Sequence, residues 1–281
     1  MTKLVQTGLV FLGVLAAQFA PAQEDALHKR EVPYVATPQV TVDEMLRLAA
    51  VGPEDFIIDL GSGDGRIVVT AAKKFGARGL GVDIDWRLVN QAEENARQAG
   101  VADRARFLEQ DLFQADLGQA TVITAYLLPF VMLKLRPKLL ALKPGTRIVS
   151  HDFDFGDWPP DRKTSVRKNV YLWIVPAQAA GRWLARLELP PIERLFELEI
   201  KQRYQEVSAH ARLNGVPSPV WETKLVGDRL SFVVVDATDR DDEASFYFDG
   251  RVSSDVIEGE LARGVGAGRS VTRWRAVRVG Q

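Results

Sequence analysis

The chain has 281 residues, 46% of them hydrophobic and 26% charged, which is enough material for one large domain or two ordinary ones. Its formal net charge of -1 supplies no chain-wide cationic field for a phosphate backbone and counts against a dedicated nucleic-acid binder. The absence of cysteine excludes disulfides, thiolate-bound zinc, thiol nucleophiles and a lipidated cysteine, so any chemistry rests on oxygen, nitrogen or a bound cofactor.

Lys3 precedes an apolar run from Leu4 to Ala20, and Ala20-Pro21-Ala22 has the small residues of a signal-peptidase site. A membrane-spanning helix needs about 20 predominantly apolar residues, whereas this run is interrupted by Gln6, Thr7 and Gln18. Residues 1–22 therefore read as a cleaved leader, and the mature chain as exported to the periplasm or cell envelope. The alternative is an uncleaved N-terminal helix that anchors the chain in the inner membrane.

Thr41 with Glu44 three residues later predicts a capping box for a helix whose apolar face is Val42, Met45, Leu46 and Ala49. From there, short β-rich runs alternate with helical ones, the pattern of a parallel α/β sheet. Strands are expected at Phe56 to Leu60, Gly79 to Val82, Ala105 to Leu108, Thr121 to Tyr126 and Arg147 to His151. Ile67, Ala71 and Phe75 recur at helical spacing before Gly76, as do Leu88, Ala92, Ala96 and Ala99 before Gly100, so both glycines read as C-terminal caps.

After Pro176 no helical period remains. Phe196, Leu198 and Ile200 alternate with charged residues, as do Leu230, Phe232 and Val234, which predicts strands with one buried and one wet face. Gly227-Asp228 and Ser254-Asp255 mark two similar hairpins. The acidic run Asp236 to Glu243 reads as a solvated hairpin loop, since its spacing matches no calcium loop. The expected organisation is thus an α/β Rossmann-like domain over residues 23–178, followed at 179–281 by an all-β meander or small barrel.

The stretch Asp59-Leu60-Gly61-Ser62-Gly63-Asp64-Gly65-Arg66 lies where the first strand passes into a helix. Its three glycines let the backbone turn sharply and approach a ligand closely. A dinucleotide fingerprint of the G-x-G-x-x-G type needs glycine or alanine where Arg66 stands, so that reading fails. Asp83 and Asp111 follow at the ends of the second and third strands. Each aspartate alone suits a cap or turn equally well. Three at successive strand ends mark the edge where open α/β sheets bind ligands.

This combination resembles motif I and the succeeding acids of class I S-adenosylmethionine (SAM)-dependent methyltransferases. The resemblance implies that Asp59, Gly61, Ser62, Gly63 and Gly65 wrap the methionine end of SAM, that Asp83 accepts hydrogen bonds from the ribose hydroxyls, and that Asp111 with Leu112 holds the adenine. Pro33-Tyr34-Val35-Ala36-Thr37-Pro38 and Tyr126-Leu127-Leu128-Pro129 extend it from about Pro33 to Trp158, towards bacterial relatives of the mitochondrial ATP-synthase c-subunit lysine methyltransferase family. In that reading Tyr34 and Thr37 join the cofactor site, and the methyl acceptor is an amine, a protein lysine foremost, rather than a nucleobase. The fourth strand lacks the Asn-Pro-Pro-Tyr type of motif used on nucleobase amines.

The acceptor side is expected in His151-Asp152-Phe153-Asp154-Phe155-Gly156-Asp157-Trp158. Asp152 or His151 is a candidate to accept a proton or position the nucleophile, with Tyr126 beside them; Trp158 either walls off solvent or packs on the β-module. No spacing here fixes a metal site. An O-methyltransferase of a small molecule and a non-catalytic envelope protein that retains the SAM fold are the competing readings. The β-module would bind the acceptor or a partner, and an anchored chain would work close to the membrane.

Overall fold

The computed structural model describes residues 34–189, 192–236, 245–264 and 269–280. The expected leader at 1–22 and most of the acidic run, 237–243, lie outside the described residues.

The first sheet has seven strands in the order β3-β2-β1-β4-β5-β7-β6. Strands β1 (Phe56–Leu60), β2 (Arg78–Asp83), β3 (Ala105–Glu109), β4 (Val122–Ala125) and β5 (Arg147–His151) run parallel. Between them come α2 (Arg66–Phe75), α3 (Trp86–Ala99) and α4 (Pro129–Leu140), with α1 (Gln39–Leu48) ahead of the sheet. Helices α2 and α3 end on Gly76 and Gly100 in the left-handed region, as the sequence leads one to expect. Alternation along β1 sends Ile57 into a core with α1 and α2, and Ile58 and Leu60 into one with Met132, Leu135 and Leu139 of α4, so both sheet faces are covered.

The helix α1 corrects one expectation. It begins after Pro38, with no side-chain cap, and Thr41 lies inside it, fully buried, donating its hydroxyl to the Val166 carbonyl at 3.3 Å. Pro38 starts the helix by conformation, and Glu44 pairs with Arg47 instead of reaching back.

The sheet continues through an antiparallel hairpin that the periodicity does not reveal, β6 (Arg162–Val166) and β7 (Lys168–Ile174), joined at Arg167 with φ 63°. Strand β7 inserts beside β5, with His151 opposite Val170. The beginning of β7 thereby sits at the end of β5.

The second sheet has nine strands, ordered β11-β10-β9-β8-β16-β15-β14-β13-β12, all antiparallel where paired. It runs from β8 (Gly181–Leu189), β9 (Ile192–Arg203) and β10 (Glu206–Leu213) through β11 (Val216–Ser218), β12 (Val220–Val226), β13 (Arg229–Val235), β14 (Ser245–Ser253) and β15 (Val256–Arg263) to β16 (Ser270–Arg278). Gly227-Asp228 turns β12 into β13 and Ser254-Asp255 turns β14 into β15, at the two expected hairpins. Strand β10 approaches β12, so the sheet curls into a nearly closed barrel. Phe196, Phe232 and Phe248 stack in its centre with the edge of Trp274 against them, so side chains fill the interior. Asp236, expected in a solvated loop, is instead buried and ion-paired with Arg194.

Candidate active site

The loop after β1 has Gly61, Gly63 and Gly65 at φ 74°, 54° and 77°, conformations that suit glycine. A Cβ on Gly65 would stand 2.6 Å from the Phe107 ring, and one on Gly61 3.0 Å from Leu127, so the loop is both left-handed and hemmed in. Asp83, at the end of β2, accepts the Gly63 N–H at 2.8 Å with one oxygen and the Asp85 N–H at 3.0 Å with the other. Each carboxylate oxygen keeps a second lone pair for a ligand.

Beneath the loop, Asp59 is 2% exposed. Its Oδ1 accepts the Thr124 hydroxyl at 2.7 Å, whereas Oδ2 is buried with no partner, as is Oγ of Ser62. Burial pushes the Asp59 carboxyl up to about 7, opposed by the Thr124 hydrogen bond and assisted by Asp83 and Asp64. A cationic hydrogen-bond donor seated there would satisfy Oδ2 and draw that value back down. Asp111 stands just past β3, with Oδ1 accepting the Phe113 N–H at 2.9 Å, and Leu112 packs half-buried beside it. Ile84 and Trp86, 69% and 58% exposed next to Asp83, are apolar surface at the same edge that the sequence does not single out.

A second group gathers at the ends of β4 and β5. His151 is buried, its ring 4.1 Å from that of Tyr126 and its Nδ1 3.4 Å from the Thr37 hydroxyl. Burial pushes its imidazole below the ordinary value, partly offset by Asp152. Asp152 has φ 69°, positive for a non-glycine residue. The turn around it is held by Phe153 N–H on the His151 carbonyl at 2.9 Å, by Asp152 N–H on the Asn169 carbonyl at 2.7 Å, and by the Ser150 hydroxyl on the Phe153 carbonyl. Such conformations persist where surroundings over-determine them, often at functional sites. The Asp152 carboxylate is ion-paired with Lys168, the first residue of β7, which the sequence gives no reason to select.

Thr37 links the two groups, since its carbonyl accepts Nη1 of Arg66 at 2.9 Å, and Arg66 also grips Asp64 of the glycine loop. Tyr34 is an exposed side chain before Ala36, where the unit that holds both sheets begins. Trp158, weighed as a solvent wall, is fully buried at the junction with the β-module: its Nε1 donates to Gln205 at 2.9 Å, its carbonyl accepts Trp173 Nε1 at 3.0 Å, and its ring stacks on Tyr204 at 5.9 Å.

A family model described as the ANTKMT methyltransferase domain matches residues 59–162. A protein-lysine N-methyltransferase of Saccharolobus islandicus is 42% identical over 51% of this chain and 94% of its own length. The lysine N-methyltransferase of Homo sapiens named for the ATP-synthase c-subunit is 33% identical over 69% of this chain and 82% of its own. The chain belongs to this family of class I SAM-dependent methyltransferases. Its enzyme class and its cofactor, SAM, follow. A crystal structure of an RNA methyltransferase from Salinibacter ruber with S-adenosyl-L-homocysteine is 54% identical, with a TM-score of 0.51, covering 51% of this chain and 95% of that one. The residues present fit SAM: a glycine cradle, a buried aspartate and a serine with unpartnered oxygens, and a fixed carboxylate at the next strand end. The matched stretch ends in β6, before the second sheet begins.

Proposed function

We propose that this methyltransferase acts on the side-chain amine of a protein lysine. The observation that carries the reading is the cluster of Tyr126, His151 and Asp152 at the strand ends beside the glycine loop, in a chain whose relatives are named for lysine methylation. SAM supplies a methyl group on a positively charged sulfur, ready for displacement by a lone pair. In the proposed site Asp59, Ser62 and the glycines at 61, 63 and 65 seat its amino-acid end, Asp83 its ribose, and Asp111 with Leu112 its base, with Ile84 covering that base and Thr37 completing the wall.

A lysine of pKa about 10.4 is neutral about once in 2,500 molecules at pH 7, a penalty near 4.6 kcal/mol. The half-buried surroundings of Tyr126, Leu127 and Phe153 disfavour the ammonium form, and Asp152, directly or through a water, accepts the ammonium proton first, after which the freed lone pair forms the N–CH3 bond as the S–CH3 bond breaks and S-adenosylhomocysteine leaves. Asp152→Asn should therefore lower turnover on the order of a hundredfold with little change in SAM affinity. Above pH 7 the neutral amine fraction rises about tenfold per unit, so the defect should shrink as pH rises towards the amine's own pKa. A defect of constant size from pH 7 to 10 would remove Asp152 from proton transfer. RNA is the competing acceptor because of the Salinibacter relative's name; the net charge of -1 favours protein.

The chain is further proposed to be exported, with residues 23–178 carrying catalysis and 179–281 binding the acceptor or a partner. Support comes from the Ala20-Pro21-Ala22 signal. Intact mass of the envelope fraction should give a chain starting at Gln23; a chain that retains 1–22 would support the membrane-anchored alternative.

A further inference from the structure

We propose that the Asp152 carboxylate is the subsite that first captures the acceptor's primary ammonium group, before the proton is given up, and that Lys168 is its built-in occupant, displaced when an acceptor arrives. The inference rests on the lysine reading above and adds to it the group that recognises the amine and the residue that competes for it.

Asp152 is sheltered while its partner is not: the side chains of Asp152 and Lys168 are 17% and 54% exposed. A flexible surface lysine thus covers a recessed carboxylate, the geometry in which one primary ammonium can be exchanged for another. The Lys168 ammonium is held above its usual range by the Asp152 hydrogen bond, with Tyr126 adding to the effect, so the cation lies within the influence of the same tyrosine that packs on His151.

The pair is not needed to hold the hairpin. Strand β7 is fixed to β5 by its ladder from Arg147–Ile174 to His151–Val170, and the turn at Asp152 is fixed by three hydrogen bonds that use no atom of either charged group. What those bonds do is hold an aspartate in an uncommon left-handed conformation, with its carboxylate at the edge where β4 and β5 end. With its cation in solvent, the pair contributes little. Lys168 can therefore be displaced, yet its loss should be measurable.

The test is calorimetric titration of n-butylammonium chloride into the full-length protein saturated with S-adenosylhomocysteine. Lys168→Gln should bind about two- to fivefold tighter than the unsubstituted chain, the range released by an exposed pair. Lys168→Arg should keep the original affinity, because it keeps the pair. Arg167→Gln, which removes the same charge from the neighbouring exposed position, should give less than that gain. Adding Asp152→Asn to Lys168→Gln should abolish it. Equal affinity with and without Lys168, an equal gain from Arg167→Gln, or a gain that survives Asp152→Asn would overturn the proposal. Methylation of poly-L-lysine by the same samples separates the two readings: butylammonium binding in the expected order without any lysine methylation supports the subsite and contradicts the acceptor.

Discussion

Asp83→Ala is expected to lower SAM affinity by at least on the order of a hundredfold. Two hydrogen bonds from hydroxyls to a charged acceptor, at about 1.5–3 kcal/mol each, account for that loss by themselves. The structure adds a second route to the same result, because the two oxygens also fix the Gly63 and Asp85 N–H groups and so set the shape of the glycine loop. Asp83→Asn separates the two: it retains an acceptor oxygen for one of these N–H groups and loses the charge, so it should fall between the parent and the alanine variant. Calorimetry that finds SAM affinity unchanged in Asp83→Ala would remove this residue from the cofactor site.

Trp158→Ala should destabilise the protein by about 3–5 kcal/mol, the range for emptying a large aromatic from a core. The ring is fully buried among Phe155, Trp173 and Tyr204, and its loss leaves a cavity where the first sheet meets the β9–β10 hairpin. Against a typical total of about 5–15 kcal/mol that is a large fraction. Gln205→Leu, which removes the hydrogen bonds to Trp158 Nε1 and to the Pro159 carbonyl but keeps the ring, should cost about 1–3 kcal/mol. Denaturant unfolding checks both, and a Trp158→Ala stability within about 1 kcal/mol of the parent would show that the junction does not hold the two sheets together.

Apart from α4, which the sequence analysis did not place, the parallel core was legible because its strands and helices have different periods and α2 and α3 end on glycines. Expected and observed limits of β1 and β5 coincide, and those of β2, β3 and β4 differ only at their ends. The β6–β7 hairpin was not legible. Arg162–Val166 is mostly exposed and polar, with no apolar alternation, while Lys168–Ile174 is a nearly continuous apolar run because it is buried between neighbours. Thr41 misled for a related reason: a buried threonine inside a helix has the same spacing to Glu44 as a cap does.

The residues proposed to hold the cofactor lie in one loop and at successive strand ends, each close in sequence to the element that positions it, so their convergence on one sheet edge was legible. The surroundings of the proposed acceptor residues were legible only in part. His151 and Asp152 were found from the end of β5, but the partner of Asp152 comes from the far side of an unrecognised hairpin, 16 residues on. Trp158 likewise stands in the expected loop but faces inward, because its ring partners, Trp173 and Tyr204, come from β7 and the β9–β10 turn.

The most direct measurement of the central claim is transfer of isotopically labelled methyl groups from SAM by the purified full-length protein to a mixture of poly-L-lysine, envelope protein and total RNA, with the products digested and read by mass spectrometry. Label is expected on the side-chain nitrogen of lysine, and should be lost in Asp83→Ala. Label found in RNA, on carboxylates or on lipid hydroxyls, with none on amines, would contradict that claim.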